Sequence, residues 1–247
     1  CSLTCDGGLR DRSRICDMKS YGNLTTDCIG NSSEIASCHT FSCRPLAIHC
    51  SDWAAKGLSQ SCMADIDPDG PDMYFFPVQV ECDFDSEPGK AITVLHHDSE
   101  DRIQVKGYEG AGEYQILLTY DIGWAAAIKV VDSSAECKQY MKWECFAAVI
   151  HNPNNEEVLT TFWKNRTEGV ANYFGGAEPG SGKCACGMTH SCVNETKRCN
   201  CDNNDYVWRF DDGFITHKSE LPMHSFYAGD TGMEMEGGAH ILGPVEC

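Results

Sequence analysis

Basic residues are scarce in this 247-residue chain. It has 19 Lys and Arg against 37 Asp and Glu, a formal charge of -18. A nucleic-acid binder needs a net or local excess of cations against phosphate, so the balance excludes that class of partner. Long apolar runs are also missing. No stretch of about 18 apolar residues occurs, so no membrane-spanning helix is expected. No secretory leader precedes Cys1, and the sequence reads as a processed or partial chain. The signatures of hydrolytic chemistry are absent too: there is no Gly-x-Ser-x-Gly elbow and no His-Glu-x-x-His helix. Gly180-Ser181-Gly182-Lys183 imitates the end of a phosphate loop. The first glycine would be position 177, which is Ala177, and Cys184 follows the lysine where Ser or Thr is required. Nothing supports an enzyme, and the expectation is a non-enzymatic protein.

What the chain has in abundance is cysteine, seventeen in all. Thiols at this density point to an oxidising compartment, where they become staples. Four sequons agree: Asn23-Leu24-Thr25, Asn31-Ser32-Ser33, Asn165-Arg166-Thr167 and Asn194-Glu195-Thr196. None has a central proline, and together with the cysteines they predict a glycosylated, extracellular surface. The acidic surface suits solubility in a calcium-rich fluid. A hydrophobic fraction of 42% and an aromatic fraction of 10% are enough for a packed core.

The cysteines fall into two spacing patterns that meet near Pro45. Residues 1–44 carry Cys1, Cys5, Cys16, Cys28, Cys38 and Cys43, and spacing alone leaves their connectivity open. Few large apolar residues accompany them (Ile15, Leu24, Ile29, Ile35, Phe41). Disulfides worth roughly 2–4 kcal/mol each must do much of the stabilising. Arg10, Arg12 and Arg14 recur at period two and would share one face of a strand. That face is either a solvated charged edge or one side of a cation–π stack.

With Cys1-Ser2-Leu3-Thr4-Cys5-Asp6-Gly7-Gly8, the three arginines, Cys16, Cys28-Ile29-Gly30, Cys38 and Cys43, the module resembles a thrombospondin type 1 repeat. The resemblance implies a thin all-β ribbon and the pairs Cys1–Cys38, Cys5–Cys43 and Cys16–Cys28. It also implies O-fucose on Thr4. The tryptophans that interleave with the arginines in that family would precede Cys1, so upstream chain is expected. Arg10, Arg12, Arg14, Lys19 and Arg44 are balanced by Asp6, Asp11, Asp17, Asp27 and Glu34. Glycosaminoglycan binding therefore gains little support.

Residues 45–247 hold the other eleven cysteines and essentially all the net charge. The stretches 74–80, 91–95 and 114–120 read as strands, being β-branched and aromatic between turn signals. Residues 134–146 read as a helix capped by Ser133 or Ser134, with apolar positions at Tyr140, Met141, Cys145 and Phe146. The stretch 174–244, rich in Gly, Asn, Asp and Cys, reads as disulfide-held loop. The run of landmarks includes Cys50, Asp65-Ile66-Asp67-Pro68-Asp69-Gly70, Val80-Glu81-Cys82-Asp83 and Cys137-Lys138-Gln139-Tyr140. It continues through Phe174-Gly175-Gly176, Cys184-Ala185-Cys186-Gly187 and Cys199-Asn200-Cys201-Asp202 to Leu242-Gly243-Pro244-Val245-Glu246-Cys247.

This order resembles the fibrinogen-like domain of neurexin-related, contactin-associated adhesion proteins. It implies a larger α+β domain with long disulfide-stapled loops, and a Cys50–Cys82 pair. The paired tryptophans, Asn and Cys-His step of the usual fibrinogen signature are missing, which puts the acetyl-group or peptide-knob pocket of ficolin-like relatives in doubt. Cys62 is additional to the usual set. Only 44–48 separate the two modules, and Pro45 stiffens that step.

Candidate chemistry is sparse. Cys184, Cys186, Cys192, Cys199 and Cys201 lack the spacing of structural zinc ligands, and with Cys137, Cys145 and Cys247 they are expected in disulfides. Cys62 makes the count odd, predicting a free thiol or an intermolecular bridge. Asp202, Asn203, Asn204 and Asp205 offer oxygens for calcium. Asp65, Asp67, Asp69 and Gly70 imitate the start of an EF-hand, but the twelfth position is Phe76 rather than Glu. His96 and His97, being adjacent, would face opposite ways in a strand. Three functions follow as expectations. One is an adhesion or matrix module binding extracellular proteins or glycans. Another is a subunit of a self-associating filament, motivated by Cys62. The last is a calcium-dependent lectin, motivated by Asp202, Asn204 and Asp205.

Overall fold

The structure, a computed structural model, describes residues 8–13, 33–38, 46–70 and 74–247. Near the N-terminus, β1 (Gly8–Ser13) and β2 (Ser33–Cys38) form an antiparallel pair. Arg10 and Arg12 share one face of β1 through the two-residue period of a strand. Arg12 sits opposite Glu34 and pairs with it at 3.3 Å on the exposed surface, an interaction worth little in water. The expectations for the Cys1–Cys38, Cys5–Cys43 and Cys16–Cys28 pairs, Thr4, Arg14, Asn23, Asn31 and Pro45 lie outside the described residues.

The larger part is mostly β. Along the chain come α1 (Cys50–Ala55), β3 (Cys62–Ile66), β4 (Val78–Asp83), β5 (Ile92–Leu95), β6 (Ile103–Val105), β7 (Tyr114–Leu117) and α2 (Trp124–Ser133). Then follow β8 (Lys138–Phe146), β9 (His151–Asn152), β10 (Asn155–Leu159), β11 (Phe162–Lys164), β12 (Val170–Ala171) and α3 (Ala185–Thr189). The chain ends through β13 (Arg209–Ile215), β14 (Ser225–Ala228) and β15 (Gly237–Glu246). A seven-stranded antiparallel sheet runs in the order β13-β8-β15-β5-β4-β3, with β6 sharing the β5 side of β15. A four-stranded sheet, β12-β11-β14-β7, and a two-stranded β9–β10 pair are separate from it. The core gathers Trp143, Trp163, Tyr173, Phe174, Phe226, Met141 and Met223, all fully buried.

Two sequence expectations are overturned here. Residues 134–146 are not a helix: α2 ends at Ser133, and Lys138–Phe146 is strand β8. Its burial alternates strictly, with Gln139, Met141, Trp143 and Cys145 inward. The polar Gln139 hid that period. Its amide is buried because Tyr120, the carbonyl of Gly243 and the amide of Met223 satisfy it at 2.9–3.3 Å. The helix lies just upstream, where Ala126, Ala127, Val130 and Val131 form one buried stripe.

The stretch 174–244 is not loop throughout, for it supplies β13, β14 and most of β15. The glycines that lower strand propensity in β15 have a packing reason. A Cβ on Gly238 would lie 2.2 Å from the buried Trp143 ring. Gly243 and Pro244 fall where the register with β8 slips, between Leu242 and Val245. A bulge there spares the proline a ladder hydrogen bond. The other strand expectations move at their ends. β4 starts at Val78, after Pro77, and Tyr120 reaches only an isolated bridge with His97.

Five disulfides staple the larger part: Cys50–Cys82, Cys137–Cys247, Cys145–Cys201, Cys184–Cys199 and Cys186–Cys192. The second fastens the start of β8 to the chain's last residue. The last three gather residues 184–201 onto β8.

Candidate functional site

The inner face of β8 and β13 is packed, but the outer face is open. Residues 208, 210, 212 and 214 alternate with the buried Asp211 and Ile215, so Trp208, Phe210 and Phe214 project outward. Trp208 and Phe210 are 52% and 50% exposed, too much for a ring to be part of a core. Cross-strand neighbours complete a strip. Phe214 lies opposite Tyr140, and their rings meet edge to face at 5.4 Å. Phe146 contacts Trp208 at 5.5 Å and Tyr206 at 6.0 Å.

Cations frame the rings. The Lys142 ammonium lies 4.5 Å from the Phe210 centroid and that of Lys138 lies 5.0 Å from Phe214. Tyr140 donates to Asp212 at 2.6 Å. Burial opposes ionisation of Glu144, but Lys142 at 2.9 Å and Arg102 at 2.7 Å outweigh it and hold its carboxyl below the usual range. Exposed aromatics held in place by neighbours and ringed by charge are the composition of a protein-recognition patch. The sequence expectations missed this surface, although the alternation of Trp208, Phe210 and Phe214 carried it.

The cysteine-rich segment beside the strip is organised by two buried carboxylates. Asp211 accepts from the amides of Asn200 and Cys201, both at 2.9 Å. Burial pushes its pKa up to about 6. Asp202 accepts from the amides of Ile150 and His151 at 3.2 and 2.9 Å, and from His151 Nδ1 at 2.8 Å. Asp205 turns instead to Arg209, which reaches it at 2.7 Å, and to Asn203 at 2.6 Å. The residues singled out for calcium therefore point to different internal partners: Asp202 into the core, Asp205 along the surface, with Asn204 exposed in a left-handed turn. His151, Asp202 and Asp211 do approach Cys199 or Cys184 closely, but those sulfurs are bonded to each other and offer no thiolate.

Cys62 is exposed and unpaired, on β3 at the edge of the seven-stranded sheet. It sits directly opposite Cys82, whose sulfur is committed to Cys50. Asn165 and Asn194 each place their side-chain oxygen on the backbone of the residue two along, Thr167 and Thr196. His96 sits between Glu81 at 2.9 Å and Glu100 at 3.1 Å, while His97 reaches inward to Gly243. A cavity of about 780 Å³ opens between α1, the end of α2 and Cys247. Several of its polar groups already have partners: Lys90 and Lys138 with Glu87, and Lys218 with main-chain carbonyls of Asp132 and Ser134.

No family model matches the chain. It is 33% identical to neurexin-4 of Drosophila melanogaster over 188 residues, 74% of its length. It is 31% identical to contactin-associated protein 1 of Mus musculus, and 31% to that of Homo sapiens, over 183 residues and again 74% of its length. The match spans 14% of the fly protein and 13% of the mammalian ones. With five disulfides and these relatives, the chain is extracellular, either secreted or part of an ectodomain.

Proposed function

We propose that the chain is a non-enzymatic adhesion module that binds a cell-surface protein through the outer face of β8 and β13. The module is read as a thrombospondin type 1-like ribbon in residues 1–44 followed by a fibrinogen-like domain in 45–247. The two-stranded pair bearing Arg10 and Arg12 supports the first part, and the similarity to neurexin-4 and contactin-associated protein 1 supports the second. The observation that carries the binding reading is the strip of Tyr206, Trp208, Phe210 and Phe214, half exposed on a sheet face with lysines over its rings. Aromatic residues contribute disproportionately to protein interfaces.

The name of one relative makes a contactin ectodomain the first partner to try. Immobilised contactin would be titrated with wild-type chain and with the double variant Trp208→Ser/Phe210→Ser. Each ring, as a hot spot, is worth about 2 kcal/mol, so the variant weakens binding by more than roughly 100-fold. Equal affinity of both proteins would sink the strip as the binding face. Absence of binding by the wild type would remove contactin as the partner.

A second reading rests on Cys62. An exposed thiol on a sheet edge could join two copies covalently, as in a self-assembling filament or matrix. Light scattering of the native protein tests it. Particles that dissolve on mild reduction and never form in Cys62→Ser would support assembly. A monodisperse monomer before and after reduction would end it.

A further inference from the structure

At the end of β3 the chain turns sharply through Asp67-Pro68-Asp69-Gly70. The Gly70 amide closes the turn on the carbonyl of Asp67 at 3.1 Å. Proline second and glycine fourth suit this geometry. Asp67 is only 8% exposed, an unusual position for a carboxylate. One oxygen of Asp69 accepts from the amides of Tyr74 at 2.8 Å and Phe75 at 3.3 Å. The other oxygen, Oδ1, is buried with no donor among the described residues, and so is Oδ1 of Asp67. A buried carboxylate oxygen without a partner is costly, and two such oxygens from neighbouring acids repel each other as well. A hard cation between them cancels both penalties.

We propose that Asp67 and Asp69 hold a calcium ion through their Oδ1 atoms, with water completing its shell. Oxygen-only ligands from a tight Asp-rich turn suit calcium, and extracellular modules bind it at about 10⁻⁴–10⁻³ M. This is not an EF-hand, since Phe76 stands where that loop needs Glu. Asp65 is exposed, and no part of the site depends on it. The location gives the ion a task. Asp67 donates its amide to the carbonyl of Ala47 at 2.8 Å, and Ala47 bridges Ile66 in parallel. A cation at the turn braces the segment by which the chain enters the larger domain.

The test is calorimetric titration of chelator-stripped whole chain with calcium chloride, together with thermal unfolding with and without calcium. The expected result is one ion per chain and a Tm raised by roughly 5–10 °C at a hundredfold excess over Kd. Asp67→Asn/Asp69→Asn loses at least about 100-fold in calcium affinity, while its Tm without calcium equals or exceeds that of the stripped wild type. No heat and no shift in the wild type would overturn the proposal, the two acids then sharing a proton. Binding that persists unchanged in the double variant would also overturn it, placing the ion elsewhere, for instance at the surface group Glu109, Asp230 and Glu236. Should the double variant not fold, the wild-type titration alone still decides whether the chain binds calcium. Asp69→Asn alone then decides where.

Discussion

Gly237 and Gly238 are neighbours in the same strand, yet alanine at each should have opposite effects. At Gly238 a new methyl carbon would lie 2.2 and 2.3 Å from two atoms of the Trp143 ring and 3.0 Å from the carbonyl of Glu144. Ordinary carbon contact is about 3.5–4.0 Å, so ring or strand must move by more than an ångström. The ring has nowhere to go. It is fully buried and packs on Phe226 at a centroid distance of 5.7 Å. Overpacking of this kind costs about 1–3 kcal/mol, and a fixed ring places the penalty at about 3.

At Gly237 the nearest atom to the same methyl is the Val105 carbonyl oxygen at 4.0 Å. Alanine fits there and restricts the unfolded chain, for a gain of about 0.4–1 kcal/mol. The two variants should therefore differ by about 3–4 kcal/mol, read from guanidinium unfolding of the oxidised protein by circular dichroism. If Gly238→Ala came within about 0.5 kcal/mol of Gly237→Ala, β15 would not lie against Trp143 and the centre of the large sheet would be wrong.

Acid stability should reveal two opposed groups. The Asp211 pKa is raised to about 6 in the fold, above the unfolded value of about 3.9, so its stabilisation is full below the unfolded value and is lost as pH rises through 6. Burial lowers the His240 pKa to about 4, so its contribution is full above about 6.5 and is lost as pH falls toward 4. Each effect is worth about 3 kcal/mol, and between pH 4 and 6 they largely cancel. Relative to the wild type across that range, thermal unfolding should fall with acid in Asp211→Asn and rise with acid in His240→Gln; profiles parallel to the wild type would refute the assignment. Removing disulfides should have unequal effects. Loop entropy gives about 5 kcal/mol for Cys137–Cys247, which closes 110 residues, and about 2 for Cys186–Cys192, which closes 6. Paired serine variants compared by denaturant midpoint check that order.

What could be read from the sequence was the part written in side-chain chemistry. Seventeen cysteines announced an oxidised, stapled chain, and the Cys50–Cys82 pair implied by resemblance is also the one joined in the fold. What stayed hidden was written in packing. Gln139 looks polar in a one-dimensional pattern and is inward only because Tyr120, Gly243 and Met223 meet it from distant segments. β15 looks like loop because its glycines make room for Trp143, a reason found only across strands. The aromatic strip needed both: its alternation is local, but its outward face is known only from the burial of Asp211 and Ile215 on the opposite side of β13. Likewise, Asp67 reads as a turn residue until its burial is known.

Recognition of a cell-surface protein by the outer face of β8 and β13 can be tested on living cells. The direct measurement is binding of the labelled, tetramerised chain to living cells, wild type beside Trp208→Ser/Phe210→Ser of equal Tm. Saturable wild-type binding is expected to survive glycosidase, to disappear when the cells are treated with protease, and to be lost in the variant. Binding by the variant at wild-type strength, or wild-type binding abolished by glycosidase alone, would contradict it.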